Sequence, residues 1–211
     1  MKKLHVSLAV FLAWSLACLP LSAAAPGAMM STLTGPVTLN GHHAIRGEAV
    51  GWGDQVQTGV HGFARLALPG ASVMAASNTQ FRMESLKQAK QLRLMRGAVE
   101  VNGRLPVAFG GWTVVPANAQ TRYSISEITG RIQITTLAGR VELRSAHHRY
   151  TINAGEAATL ARSPQNLPSG TGSNADWTYV GIGTAALIGG GLLTYFIYRN
   201  NHNGNVVSVA K

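Results

Sequence analysis

Between Ser31 and Arg162 the chain repeats one pattern: short runs of alternating apolar and polar residues, each closed by a turn signal. Phe63-Ala64-Arg65-Leu66-Ala67-Leu68 ends at Pro69-Gly70, and Ala98-Val99-Glu100-Val101 ends at Asn102-Gly103. Arg131-Ile132-Gln133-Ile134-Thr135 and Val141-Glu142-Leu143-Arg144 repeat it. Successive side chains on a strand point to opposite faces, so a period of two gives strands with one buried face. Asn40-Gly41 and Asn102-Gly103 suit tight hairpins, because both residue types accept positive φ. Turn signals about 8–12 residues apart predict an all-β domain: an antiparallel sandwich, roll or short solenoid of about 10–14 short strands. Met83 to Gln91 is the one stretch open to a short helix, and it reads equally as a loop between strands.

Two apolar segments flank this domain. Lys2 and Lys3 precede a short apolar run from Leu4 to Leu16, and small residues follow at Ser22, Ala23, Ala24 and Ala25. That order predicts an N-terminal signal helix over residues 1–24, cleaved after Ala24. An uncleaved anchor or lipidation at Cys18 are the alternatives, and Ser15-Leu16-Ala17 fits a lipobox poorly. The second segment, Trp177 to Tyr198, has no Asp, Glu, Lys or Arg in 22 residues. As a helix it would be roughly 33 Å long, enough for a ~30 Å hydrocarbon core. Trp177, Tyr179, Tyr195 and Tyr198 would sit at the two interfaces, with Arg199 as a stop-transfer charge. A buried core helix is the competing reading. Gly181, Ala185 and Gly189, four apart, would give such a helix a face for close packing and a route to homodimers. The resulting layout is signal peptide 1–24, β domain 31–162, flexible linker 163–176, transmembrane helix 177–198 and cytoplasmic tail 199–211. The linker, with Pro164, Pro168, Gly170 and Gly172, would span roughly 20 Å as a coil. The expected location is the bacterial inner membrane, single-pass, with the β domain in the periplasm.

Composition narrows the chemistry. The only cysteine is Cys18, inside the leader, so the mature chain would have neither a disulfide nor a thiolate ligand. His42-His43 and His147-His148 invite a metal reading, but neighbours on a strand face opposite ways and a site needs three or four ligands. No metal and no cofactor are expected. No G-x-S-x-G, H-E-x-x-H or phosphate loop occurs, and Asp54 and Ser72 sit in turn settings without an indicated base, so no catalytic residue is assigned. The chain carries 18 Lys and Arg against 8 Asp and Glu, a formal charge of +10. Arg82, Lys87, Lys90, Arg93 and Arg96 fall in 15 residues with Glu84 as the one acid, and they form a candidate basic binding face. Outside the cytoplasm the polyanions it could meet are lipid headgroups, anionic glycans and acidic proteins rather than nucleic acid.

Specific motifs follow the general pattern. Gly53-Asp54-Gln55-Val56-Gln57-Thr58-Gly59 is followed by Gly62-Phe63-Ala64-Arg65-Leu66, by Pro69-Gly70-Ala71-Ser72-Val73 and by Asn78-Thr79. In that order they resemble the first half of the FecR domain. Leu92 to Val101, Thr121 to Val141 and Asn153-Ala154-Gly155-Glu156-Ala157 resemble its second half. The likeness covers about 130 residues, and it departs from the family at Gly70-Ala71-Ser72 and at the small, polar Ala75-Ala76-Ser77. It implies a periplasmic β fold with a binding or sensing role, in which Gly53, Asp54, Val56, Thr58, Gly59, Gly62, Pro69, Gly70, Ser72, Asn78, Thr79 and Gly155 shape the fold. FecR-type transducers carry a cytoplasmic anti-sigma segment before their membrane helix. Here a signal-like segment stands in its place, so sigma-factor control is not carried over. The expected role is a non-enzymatic, membrane-tethered binding or sensing module in envelope signalling or assembly, with an envelope protein or anionic glycan as partner. The alternatives are a structural, glycan-associated envelope protein and an accessory subunit of a membrane complex.

Overall fold

The computed structural model describes residues 27–86, 89–128, 130–162 and 177–184. Eighteen strands lie among them. The first nine are β1 (Ala28–Thr34), β2 (Val37–Leu39), β3 (His42–His43), β4 (Ala49–Val50), β5 (Gln55–Thr58), β6 (Phe63–Leu68), β7 (Ala71–Ala75), β8 (Gln80–Leu86) and β9 (Ala89–Arg96). The rest are β10 (Ala98–Gly103), β11 (Val107–Phe109), β12 (Trp112–Pro116), β13 (Arg122–Ile128), β14 (Arg131–Ala138), β15 (Arg140–Arg144), β16 (Arg149–Asn153), β17 (Glu156–Arg162) and β18 (Trp177–Thr184). The all-β expectation is met, with more and shorter strands than the expected 10–14. Two-residue strands such as β3 and β4 leave no periodic trace in a sequence.

The strands form two nine-stranded sheets. Sheet A runs β18-β17-β14-β13-β10-β7-β6-β1-β4, and sheet B runs β16-β15-β12-β11-β9-β8-β5-β2-β3. Apart from the edge strands β4, which lies outside β1, and β3, which lies outside β2, the order within each sheet follows the sequence, so the chain winds back and forth between the sheets. Eight steps of ~4.8 Å make each sheet about 38 Å wide. Pairing is antiparallel throughout, except that β11 lies parallel to β9. The inward faces meet in one core. Leu66, Val73, Val101, Tyr123, Ile125, Ile134 and Leu160 come from sheet A; Val56, Phe81, Met83, Leu92, Val107, Val114, Leu143 and Ile152 come from sheet B. These are the apolar members of the alternating runs, as two facing sheets require.

Three of the changes of sheet share one form. Gly35-Pro36-Val37, Gly97-Ala98-Val99 and Gly139-Arg140-Val141 each place a glycine at positive φ (65°, 89° and 74°) ahead of a buried valine. A Cβ at Gly97 would lie 2.5 Å from the Thr79 Cα, and one at Gly139 would lie 2.9 Å from the Thr121 Oγ1. The two threonines brace these corners: Thr79 Oγ1 donates to the Ala98 carbonyl at 3.0 Å, and Thr121 Oγ1 to the Arg140 carbonyl at 3.4 Å.

Two expectations change. Met83 to Gln91 is neither helix nor open loop: its described residues belong to the β8–β9 hairpin, with Met83 opposite Leu92 and Glu84 opposite Gln91. Trp177–Thr184, expected to begin a membrane helix, is strand β18, paired with β17 so that Ala158 faces Ile182 and Thr159 faces Gly181. The physical reason is in the local sequence. Trp, Tyr, Val, Ile and Thr favour strands, Gly181 and Gly183 weaken a helix, and β17 offers an unpaired edge. No helix long and apolar enough to cross a membrane occurs among the described residues. The signal segment 1–24, the linker 163–176, the remainder of the expected helix (185–198) and the tail 199–211 lie outside the described residues.

Candidate functional site: a cationic sheet face

Strand pairing divides the predicted basic face. Arg82 on β8 and Arg93 on β9 sit directly opposite each other on the outer side of sheet B, and exposed Arg96 lies at the end of β9 opposite Gln80. Lys90 falls elsewhere. Its Nζ stands 5.1 Å from the centroid of the Trp52 ring, in cation–π range. Lys87 lies outside the described residues.

Lys90 lines a cleft of about 260 Å³ with Gly27, Trp52, Leu68, Pro69, Arg104 and Leu105. Gly27 is needed there, because a Cβ would come within 2.8 Å of the indole. Under the cleft, the buried Tyr123 hydroxyl donates to the Leu105 carbonyl at 2.5 Å. Burial pushes that phenol well above its ordinary pKa, so it remains a donor. A second open cleft, of about 530 Å³, shares Arg104 and adds Pro116, Arg140, Glu142, Arg144 and Thr151.

Two carboxylates temper the outer face of sheet B. Glu84 accepts from Arg93 Nε at 2.5 Å and from Gln91 Nε2 at 2.9 Å. Burial raises the Glu84 pKa, but these donors outweigh it and hold it below the usual carboxylate value. Glu142 accepts from Arg144 at 2.5 Å and from Arg149 at 2.6 Å. The hydrogen bond from Arg144 leads in lowering its pKa. Both acids therefore stay ionised through the neutral range, and six arginines (Arg82, Arg93, Arg96, Arg140, Arg144 and Arg149) face two of them on this side. The outer side of sheet A carries fewer charges, Arg65, Arg122 and Arg131 against Glu100. Its central register row reads Arg65, Met74, Glu100, Ser124, Thr135. Glu100 is 6% exposed, and its pKa is raised by burial despite nearby Arg122 and Arg65.

The motif residues shape turns and corners. The Asp54 carboxylate accepts from the Gly51 amide at 2.6 Å and from Asn40 Nδ2 at 2.8 Å. Gly53 has φ 107°, and its amide donates to the Met83 carbonyl at 2.6 Å. Val56 is buried in the core. Thr58 Oγ1 donates to the Ala76 carbonyl and accepts from the Thr79 amide. Asn78 holds φ 56° beside it. Gly59 and Gly62 pack against Pro36, where a Cβ would meet it at 2.9 and 2.5 Å. Pro69-Gly70 turns β6 into β7, Ser72 pairs with Asn102 in sheet A, and Gly155 turns β16 into β17 at φ 81°. One histidine of each pair is likewise engaged: His42 bonds Glu48 at 2.8 Å, and His148 stacks on Trp112 and Tyr150. Of the expected helix-packing residues, Gly181 is in strand β18, while Ala185 and Gly189 lie outside the described residues.

No family model matches the chain, and no curated protein matches it. Two crystal structures of a candidate anti-sigma factor from Parabacteroides distasonis resemble it. One is 12% identical with a TM-score of 0.46 over 58% of this chain and 60% of that one. The other is 11% identical with a TM-score of 0.48 over 65% of this chain and 63% of that one. The chain thus spans less than two thirds of the length of either.

Proposed function

We propose that this chain is a non-enzymatic FecR-like binding and sensing module of the bacterial envelope, tethered at the inner membrane with its β domain in the periplasm. Its recognition face is the outer side of sheet B. The observation that carries this reading is the charge gathered on this face: six arginines against two engaged carboxylates, where the outer side of sheet A carries Arg65, Arg122 and Arg131 against Glu100. Cations gathered on one face of a rigid sheet attract an anionic partner and set its orientation. The order of the FecR-type motifs supports the sensing role, and their use in turns and corners leaves the sheet face free to vary with the partner.

The test is site-specific photo-crosslinking in native envelopes. A photoreactive residue at position 82 or 96 on sheet B should give discrete adducts, and one at exposed Arg131 on sheet A should not. Equal labelling from both faces, or none from sheet B, would overturn the reading.

A further inference from the structure

Register joins the arginines into a line. Gln55 pairs with Arg82, Arg82 with Arg93, Arg93 with Ala108, Ala108 with Thr113, Thr113 with Arg144, and Arg144 with Arg149. One row thus crosses seven strands of sheet B, perpendicular to them. It carries two arginine pairs: in the first, Glu84 engages Arg93 while Arg82 donates to Gln55 at 3.4 Å, and in the second Glu142 bridges Arg144 and Arg149. Between the pairs lie only Ala108, 5% exposed, and Thr113. Three strand spacings separate Arg93 from Arg144, about 14 Å, and the row from Arg82 to Arg149 is about 24 Å long.

Like charges directly opposite on a sheet oppose folding. Here the arrangement occurs twice on one row, and in each case the carboxylate leaves most guanidinium N–H groups open, since each guanidinium has five. Deepening the reading of sheet B as the recognition face, and resting on it, we infer that this row binds a linear acidic polysaccharide. The polymer lies across the strands, with anionic groups on both arginine pairs and uncharged backbone over the Ala108–Thr113 floor. Several features select this class. The charges fall on a line, which matches a polymer better than the plane of a bilayer. From β5 to β15 the row crosses strands paired on both sides, and only its Arg149 end reaches an edge strand, β16, so most of the row offers side chains rather than the free backbone edge by which sheets capture peptide strands. The cleft holding Arg140 and Arg144 lies beside the Arg144 end of the row.

The full-length chain is titrated with polygalacturonate and with a short galacturonate oligomer that reaches one pair only. The comparison ligands are polyglutamate, phosphatidylglycerol vesicles and oligothymidylate. The variants are Arg82→Gln/Arg93→Gln and Arg144→Gln/Arg149→Gln, with Arg131→Gln on sheet A as the control. Either double variant should weaken polygalacturonate roughly tenfold and flatten its salt dependence. The short oligomer should bind weakly and respond to one pair alone. Glu84→Gln and Glu142→Gln should tighten binding, a direction that misfolding does not produce. Polygalacturonate binding that is absent, or indifferent to both pairs, would overturn the proposal. So would tighter binding of polyglutamate, vesicles or oligothymidylate with the same arginine dependence. Sheet-B crosslinks to a protein, combined with no polygalacturonate binding, would retain the recognition face and reject only the polysaccharide.

Discussion

Single residues explain what the motif positions between Gly53 and Gly155 do in the fold. A buried carbonyl or hydroxyl must be paired, and the motif side chains pair the corners of the roll. Tyr123 is the clearest case. Tyr123→Phe keeps the ring but strands the Leu105 carbonyl, and it should cost about 1–2 kcal/mol in urea unfolding while leaving the core packed. Charged pairs on sheet B act more weakly and with a definite pH signature. The folded-state pKa of Glu84 is lowered, so its contribution is present above the unfolded pKa and is lost as pH falls through the folded one. Its partner Arg93 is open to solvent, which limits the pair to about 0.5 kcal/mol. Glu84→Gln should therefore be less stable than the parent at pH 7 and indistinguishable from it near pH 3. Glu100 has the opposite sign. Its raised folded pKa means that ionisation opposes folding, so Glu100→Gln should be the more stable protein at pH 7, with the gap closing as pH falls through the folded pKa. Urea unfolding of both variants at two pH values checks the pair together.

At the level of elements, the strands were legible and their order was not. Alternation in Phe63–Leu68, Ala98–Val101, Arg131–Thr135 and Val141–Arg144 marks four strands whose inward members all enter the core. The corner signal was present but unread: Gly35-Pro36-Val37, Gly97-Ala98-Val99 and Gly139-Arg140-Val141 share one form, and each carries the chain to the other sheet. Alternation cannot say which sheet a strand joins, because period two is the same in both. The Gly-x-Val corners mark three of the crossovers, and at Gly97 and Gly139 the positive φ goes with a close approach to Thr79 and Thr121. The cost of a side chain should follow the local space. Gly97→Ala sets a Cβ 2.5 Å from the Thr79 Cα at φ 89° and should cost about 3 kcal/mol or more. At Gly155 φ is 81° with nothing within 4 Å, so Gly155→Ala should cost only the left-handed strain, about 1 kcal/mol. Equal losses at the two sites in thermal unfolding would refute the corner argument.

For the whole molecule, the cationic cluster was partly legible for a reason of scale. Arg82, Arg93 and Arg96 are near in sequence because a hairpin brings them together, whereas Arg144 and Arg149 join the same row only through the order of seven strands. Lys90 left the predicted face because it lies on the Leu92 side of β9, opposite to Arg93, from where it reaches Trp52. The C-terminal apolar segment poses the largest question of this kind. With Trp177–Thr184 in β18, residues 185–198 as a helix would span about 21 Å, short of a ~30 Å hydrocarbon core. A full membrane span and the ninth strand of sheet A therefore compete for the same eight residues. The strand has the backbone edge of β17 in its favour; the span has the burial of an uncharged 22-residue stretch in lipid. A cysteine pair reads out the competition. Ala158→Cys/Ile182→Cys places two thiols on directly paired positions, and Cys18→Ser removes the native one. In detergent-free solution this variant should form an intramolecular disulfide on mild oxidation. Reconstituted into bilayers, it should form the bond only to the extent that β18 stays on the sheet. A disulfide that forms equally in both settings would mean that the tether, if there is one, does not use Trp177–Thr184; failure in both would remove β18 from the folded domain.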